Sequence, residues 1–352
     1  MAVRSARADF DGGKLSLRAR KRGILRNPAF AGCALFFALA SLSFASLSTG
    51  SSGADFSLPF DILLGGKVGP SAELIFFQIR LPRLCVALIA GVSLSLAGAT
   101  MQALFRNPLA DPSVMGVSAG AALGAVVAMS FFGGALSLVS LQVGAVVFGL
   151  AATAFVCALG RGGKILSCLL GGIAVNALCG AIVGFFLYSA RETGLKSYIF
   201  WMLGSLDNAD WNSIAYAALA SVPAWIAVMA CARGLNALLL GWEQAYHSGV
   251  RVKLLWRACI AATSLMTAAA VSICGIIGFV GLVIPHIMRL WTGPDNRRLL
   301  PLSALAGALL MVGADLLSRA ANPADPVPIG VITSLLGVPF FVFLLKFGRG
   351  EK

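Results

Sequence analysis

Long apolar runs separated by short polar breaks set the pattern of this chain. Runs of ~20 apolar residues are long enough to cross a bilayer as helix. The pattern predicts ten of them, at residues 29–48, 84–105, 113–132, 136–159, 165–189, 212–232, 257–275, 277–291, 299–318 and 329–347. The most informative stretch is 80–124. There a run after Arg83 stops near Phe105, the break Arg106-Asn107-Pro108-Leu109-Ala110-Asp111-Pro112 follows, and a second run opens with Gly116, Gly120 and Gly124. Each proline lacks a backbone N–H and disfavours helix at the residue before it, so the break reads as a tight loop. Glycines four apart share a helix face and let another backbone come close, and packing accounts for them without any function.

The fold class expected is therefore all-α: a polytopic membrane protein of about ten transmembrane helices. Two five-helix halves would be inverted relative to each other. The pairs Gly98/Pro108 and Gly275/Pro285, each ten residues apart, are a faint internal echo of that plan. The chain divides into a basic N-terminal tail at 1–28, one membrane domain at 29–347 and a short C-terminal tail at 348–352.

Composition agrees. Of 352 residues, 59% are hydrophobic and 12% charged, with mean hydropathy +0.89; a soluble domain carries about twice that charged share. The net charge of +13 raises nucleic acid as a partner, but its placement argues against it. Arg4, Arg7, Lys14, Arg18, Arg20, Lys21, Arg22 and Arg26 crowd the N-terminal tail, and most other basic residues flank apolar runs. With both termini on the cytoplasmic side, 21 basic residues fall inside and 6 outside, which is the positive-inside pattern. The apolar run after the tail is longer than a signal-peptide core of about 7–15 residues, so it reads as a retained first helix. No two of the eight cysteines are spaced C-x-x-C, and they read as small buried hydrophobes.

The longest inner loop is 233–256, which mixes Leu238, Leu239, Trp242 and Tyr246 with Glu243, His247, Arg251 and Lys253. It suits one or two short helices on the membrane surface, resting on lipid or receiving a cytoplasmic partner. In the fifth run Gly172, Asn176, Gly180 and Gly184 recur every four residues, so one face is small and slightly polar. That face either packs tightly or borders a watery path. Pro285-His286 lies in an apolar run with no second metal ligand beside it, so capping or hydrogen bonding is the expected role of His286.

Several chemistries are missing. Gly66-Lys67 precedes Val68 and Gly163-Lys164 precedes Ile165, so neither is a phosphate-binding P-loop. No H-E-x-x-H or G-x-S-x-G is present. Asp315 is the main candidate for an intramembrane ion, and ion-driven carriers need such groups. Their scarcity points to an outside energy source.

The stretches RLPR…GATMQALFRNPLADPSVMGVSAGAALG, FWMLGS, GFVGLVIPHIMRLWTGPDNRRLLP and PIGVITSLLGVPFF resemble one family across residues 29–347: the permease subunit of bacterial ABC importers for iron-siderophores, heme and cobalamin. The resemblance implies a homodimer in the bacterial inner membrane, two cytoplasmic ATPase subunits and a periplasmic substrate-binding protein. The permease itself would be no enzyme and bind no cofactor or metal; ATP and Mg would belong to the partner ATPase. The cargo would be a ferric siderophore or heme, with cobalamin as the alternative. A secondary carrier using Asp315 and a structural membrane protein are the remaining readings.

The resemblance also implies roles for residues. Glu243, Ala245 and Gly249 match the segment that couples to the ATPase, its glutamate-alanine-glycine pattern partly kept. Gly172, Asn176, Gly180 and Gly184, with Gly330, Ser334 and Gly337, would line the translocation path. Lys164, Ile165, Leu166 and Ser167 match the cytoplasmic gate region but depart from its Thr/Ser pattern. Arg80, Arg83 and Arg319 lie on the outer side, against the charge skew. They match positions that pair with acidic residues on the binding protein, and reversing Arg80 and Arg83 to Glu is expected to weaken docking without stopping insertion.

Overall fold

The computed structural model describes residues 28–50, 53–54, 57–66, 68–131, 137–160, 165–190, 192–207, 209–323 and 325–347. The basic tail and the C-terminal tail lie outside them. The fold is all-helical apart from a two-residue antiparallel ladder, Thr49–Gly50 with Gly53–Ala54. The helices are α1 (Pro28–Ser48), α2 (Leu58–Leu63), α3 (Pro70–Leu104, with a π-helical turn at Phe76–Arg80) and α4 (Val117–Phe131). Next come α5 (Ser137–Leu159), α6 (Ile165–Ser189), α7 (Glu192–Leu203) and α8 (Trp211–Ala230). Two short helices, α9 (Ala232–Leu239) and α10 (Trp242–His247), lead into α11 (Val252–Cys274), α12 (Val280–Thr292), α13 (Asn296–Ala321) and α14 (Ile329–Phe347).

Each of the ten expected spans has its helix. Seven are long and apolar enough to cross a membrane; Val117–Phe131, Val280–Thr292 and Ile329–Phe343 are shorter apolar helices. The helices of the spans expected from 84 and 257 begin earlier, at Pro70 and Val252, and two other boundaries are set later by the backbone. The run expected from 113 begins as a 3-10 turn, Pro112–Met115, and α4 starts only after Gly116 in the left-handed region at φ 80°. The run expected from 277 starts as helix at Val280, because Gly275 (φ 72°) and Phe279 (φ 68°) both interrupt the ladder. A phenylalanine in that region is strained, since its Cβ crowds the following carbonyl.

The core is built around α3. It packs against α8, α11, α12 and α13, and 83% of its apolar window is buried, against 17% for α1. A helix apolar all round belongs in the interior, and from Leu84 to Met101 α3 carries no charged side chain. In lipid, helices gain little from burying apolar surface against one another, so close backbone approach replaces that drive. Gly91 on α3 meets Gly307 on α13, and Gly98 on α3 meets Gly281 on α12. Gly124 on α4 meets Gly144 on α5. At each crossing a Cβ would overlap the opposing backbone carbonyl. The glycine spacing after the polar break is therefore packing, as the pattern alone suggested.

Gly98→Ala is expected to destabilise the detergent-solubilised protein by roughly 1–3 kcal/mol through overpacking, whereas Gly184→Ala, with nothing within 4 Å of its Cβ, is expected to leave it unchanged. Thermal unfolding followed by size-exclusion chromatography measures both, and equal effects would refute the crossing-point reading.

Candidate functional site

At one end of the bundle, four charged side chains from three segments close on one another. Asp315 of α13 is only 1% exposed. Its carboxylate accepts from Arg83 Nε of α3 at 2.6 Å and from Arg319 Nη2, one turn along its own helix, at 2.8 Å. Arg83 Nη1 also pairs with Asp207. Two arginines thus face two aspartates, and the cluster is neutral. Arg319 reaches further: its Nη1 donates to the carbonyl oxygens of Ser46 at 3.3 Å, in the last turn of α1, and of Thr49 at 2.7 Å, just past it. Arg80 Nη1 donates to Leu47 O at 2.7 Å. Late carbonyls of α1, which lack intrahelical partners, are thereby satisfied by cations.

The sequence brought Arg80, Arg83 and Arg319 forward as outward-facing docking groups. The structure brings the three together but turns their guanidinium groups inward; Arg80 and Arg83 are buried, at 6% and 8% exposed. Arg83→Glu is therefore no surface change, because it would set a third carboxylate beside Asp207 and Asp315. Asp315 itself, the candidate intramembrane ion, is held between two arginines. Sequence reading missed Asp207. Its signal was the FWMLGS turn just before it, which three outer arginines needed a counter-charge near.

That turn fixes Asp207. The α7 helix ends at Gly204 (φ 77°), whose carbonyl accepts from Ile329 N at the start of α14. Ser205 N donates to Cys274 O at the end of α11, and Ser205 Oγ donates to Asp207 at 2.7 Å. One turn ties α7, α11 and α14 together beside the charged cluster.

The small-residue line divides. Gly172 abuts the Val114 carbonyl of the 3-10 turn, and Asn176 Nδ2 donates to Ser113 O at 3.2 Å while its Oδ1 is buried without a hydrogen-bond partner. Gly330 abuts the Leu203 carbonyl, and Gly337 abuts the Phe279 ring. These are contact points inside the chain. Gly180 and Gly184 are different: both are exposed, with nothing within 4 Å of their Cβ positions. Ser334 of α14 is half-buried. Exposed Leu178, Phe185 and Tyr188 of α6 lie beside the open glycines, and Leu335, Leu336 and Val342 are exposed on α14.

At the opposite end, the loop expected to hold one or two surface helices forms α9 and α10. Asn236 of α9 donates to Asp295 at 2.6 Å and accepts from both nitrogens of Asn296 at 2.8 and 2.9 Å. The bond from Asn236, helped by the Arg297 N–H and the charges of Arg298 and Arg297, holds the Asp295 carboxyl below its usual range despite some desolvation. This clamp on the start of α13 was not foreseen from the sequence. Ala245 is fully buried, Glu243 is exposed, and Gly249 turns the chain at φ 82° with nothing near its Cβ.

The remaining candidates are quickly placed. Lys164 lies outside the described residues; Ile165 opens α6, Leu166 is exposed and Ser167 half-buried. His286 was expected to cap or hydrogen-bond, but among the described residues it makes no hydrogen bond and packs beside Pro108, Leu109 and Phe340. No group of three metal-binding side chains occurs among the described residues, and the eight cysteines are free thiols.

Ten apolar helices among the described residues, with α3 enclosed by its neighbours, define a multi-pass membrane protein. A family model, the FecCD transport family, matches residues 38–347. The hemin transport system permease protein HmuU of Yersinia pestis is 40% identical over 323 residues, covering 90% of this chain and 96% of that protein. The cobalamin import system permease protein BtuC of Halobacterium salinarum is 41% identical over 283 residues, covering 79% and 75%. A solved structure described as an inward-facing metal-chelate type ABC transporter superposes with TM-score 0.81 at 30% identity, covering 91% of this chain and 99% of its own. The chain belongs to the FecCD transport family, and it is a permease subunit of the ABC-importer type.

Asp315→Asn would leave two buried arginines short of a counter-charge and is expected to cost about 3–5 kcal/mol of stability. Asp207→Asn, whose side chain is 47% exposed, is expected to cost under ~1 kcal/mol. Thermal melts of the two purified variants check the order, and equal losses would contradict the cluster's hierarchy.

Proposed function

We propose that two copies of this chain form the membrane path of an ATP-driven importer that carries an iron chelate, heme or a ferric siderophore, from periplasm to cytoplasm. The observation that carries the cargo is the extent of the likeness to the hemin permease, which runs over nearly the whole of both chains. Cobalamin is the second reading, favoured by an equal identity over a shorter match. A carrier driven by an intramembrane carboxylate is poorly supported, because Asp315 is already neutralised by Arg83 and Arg319.

The path runs along the dimer axis between the exposed faces of α6 and α14. Gly180 and Gly184 leave room there for a bulky ligand, and Asn176 and Ser334 supply polar atoms. Gly172, Gly330 and Gly337 set the spacing of that wall from behind. Residues 164–167 stand at its cytoplasmic mouth. Both termini lie in the cytoplasm of a bacterial inner-membrane protein, in keeping with the basic tail and the charge skew.

Two cytoplasmic ATPases supply the energy, with ATP and Mg bound on them. Each receives α10 and the following turn, where exposed Glu243 and the Gly249 bend project while buried Ala245 anchors the helix. The Asn236–Asp295 clamp makes this segment stiff enough to transmit a push to α13. At the other end, a periplasmic binding protein meets the arginine cluster. Its carboxylate reaches Arg83 by displacing half-exposed Asp207, while Arg80 and Arg319 hold the rim through α1. Exchange of one carboxylate for another suits the arginine fork and weakens with salt.

Proteoliposomes holding the full complex are expected to accumulate heme only with ATP inside the ATPase-facing compartment, and to do so when a protonophore is present. Uptake of cyanocobalamin in place of heme would overturn the cargo, and protonophore-sensitive uptake without ATP would overturn the energy source. Gly249→Pro forces φ near −65° and is expected to reduce ATP-driven uptake at least ~10-fold with normal membrane insertion. Gly180→Trp is expected to block uptake while leaving the amount of folded protein unchanged. Full uptake by either variant would remove that residue from its role.

A further inference from the structure

A groove of about 690 Å³ opens between α5 and α11, beneath α10. Its α11 wall is one helix face, from Lys253 through Trp256, Arg257 and Ala261 to Leu265, spaced three and four apart. The opposite wall is α5, with Ala154 among its lining residues. From Lys253 to Leu265 the groove follows α11 for ~18 Å at 1.5 Å per residue, close to the ~15 Å from the surface to the middle of a bilayer core. It is basic at the end near α10 and mainly apolar at its depth, where Leu150, Ile260 and Leu265 outweigh the hydroxyls of Thr153 and Ser264.

Two cations gather at the basic end, without an acceptor among the described residues. Lys253 and Arg257 are exposed and make no ion pair or hydrogen bond among the described residues. Glu243, next to Trp242 on α10, pairs with neither. Trp256 Nε1 is buried and has no hydrogen-bond partner. Indoles with basic residues at a helix end mark the level of lipid headgroups. A soluble anion would satisfy the donors but leave the apolar depth empty.

We propose that this groove binds one anionic phospholipid, its phosphate held by Lys253 and Arg257 beside the Trp256 indole and an acyl chain laid between α5 and α11. Trp242 of α10 roofs the headgroup. Occupancy would therefore steady the segment read above as the ATPase contact; that consequence rests on the proposed function, whereas the binding does not.

The test reconstitutes the full chain in phosphatidylcholine nanodiscs containing brominated phosphatidylglycerol or brominated phosphatidylcholine at matched mole fractions. The Trp256 signal is isolated by subtracting a Trp256→Phe variant. Half-maximal quenching is expected at about tenfold lower mole fraction for the anionic lipid, as two basic residues allow. Lys253→Gln with Arg257→Gln is expected to make the two lipids equal, and Ala261→Phe, which fills the slot, to weaken quenching by both. Dissolved glycerol phosphate is expected to leave quenching unchanged. Equal quenching by the two lipids in the unaltered chain would overturn the proposal, and that comparison needs only the chain and its Trp256→Phe partner, so it stands even if the double substitution or Ala261→Phe fails to fold. A preference that survives the double substitution, or reversal by glycerol phosphate, would overturn it as well.

Discussion

Everything in this molecule depends on how closely helix backbones approach α3. Lipid tails are as apolar as leucine, so helix pairing in a membrane gains little from moving side chains out of lipid. Contact area must come from proximity. Gly91 against Gly307 and Gly98 against Gly281 let α13 and α12 lie directly on α3, and Gly124 against Gly144 does the same for α4 and α5. The leucines and alanines around these crossings then fill the remaining space. A chain with the same hydropathy and larger residues at these points would still enter a membrane, but its helices would not close in this way.

The second constraint is charge. Four ionised side chains near the end of a membrane bundle are affordable only as a neutral, hydrogen-bonded set. Asp315 supplies the buried negative charge, Arg83 and Arg319 bracket it, and Asp207 completes the balance from the FWMLGS turn. Arg319 also satisfies the carbonyls of Ser46 and Thr49, and Arg80 that of Leu47, so the first helix, though mostly exposed, is fastened at its end. Structure and surface chemistry are shared here: the group nearest solvent, Asp207, is also the one whose loss leaves the buried pair intact.

Rigid and open surfaces are separated. The enclosed helices α3, α11 and α13 carry the load, whereas α6 and α14 display unpartnered apolar and glycine-lined faces. Between them, Gly204, Gly275 and Phe279 bend the chain with positive φ. A permease needs both properties, a frame that transmits force and a wall with space beside it, and in this chain different helices provide them.

Much was determined by the sequence itself. The ten spans, the tight loop at Arg106–Pro112 and the packing role of Gly120 and Gly124 follow from local composition, because bilayer thickness and backbone satisfaction act on each segment separately. The absence of a P-loop and the family's signature stretches were legible for the same reason. What a side chain meets was not. The sequence placed Arg80, Arg83 and Arg319 at one end, but only the fold decided that Arg83 and Arg319 close on Asp315, 232 positions from Arg83, and that Arg80 turns to the Leu47 carbonyl. The even spacing of Gly172, Asn176, Gly180 and Gly184 could not say which would be packed and which open. Nor could it reveal the Asn236–Asp295–Asn296 clamp or the groove under Trp242. Local periodicity fixes which face of a helix is small, basic or apolar; the neighbour that face receives depends on contacts hundreds of residues away, and those exist only once the helices have packed.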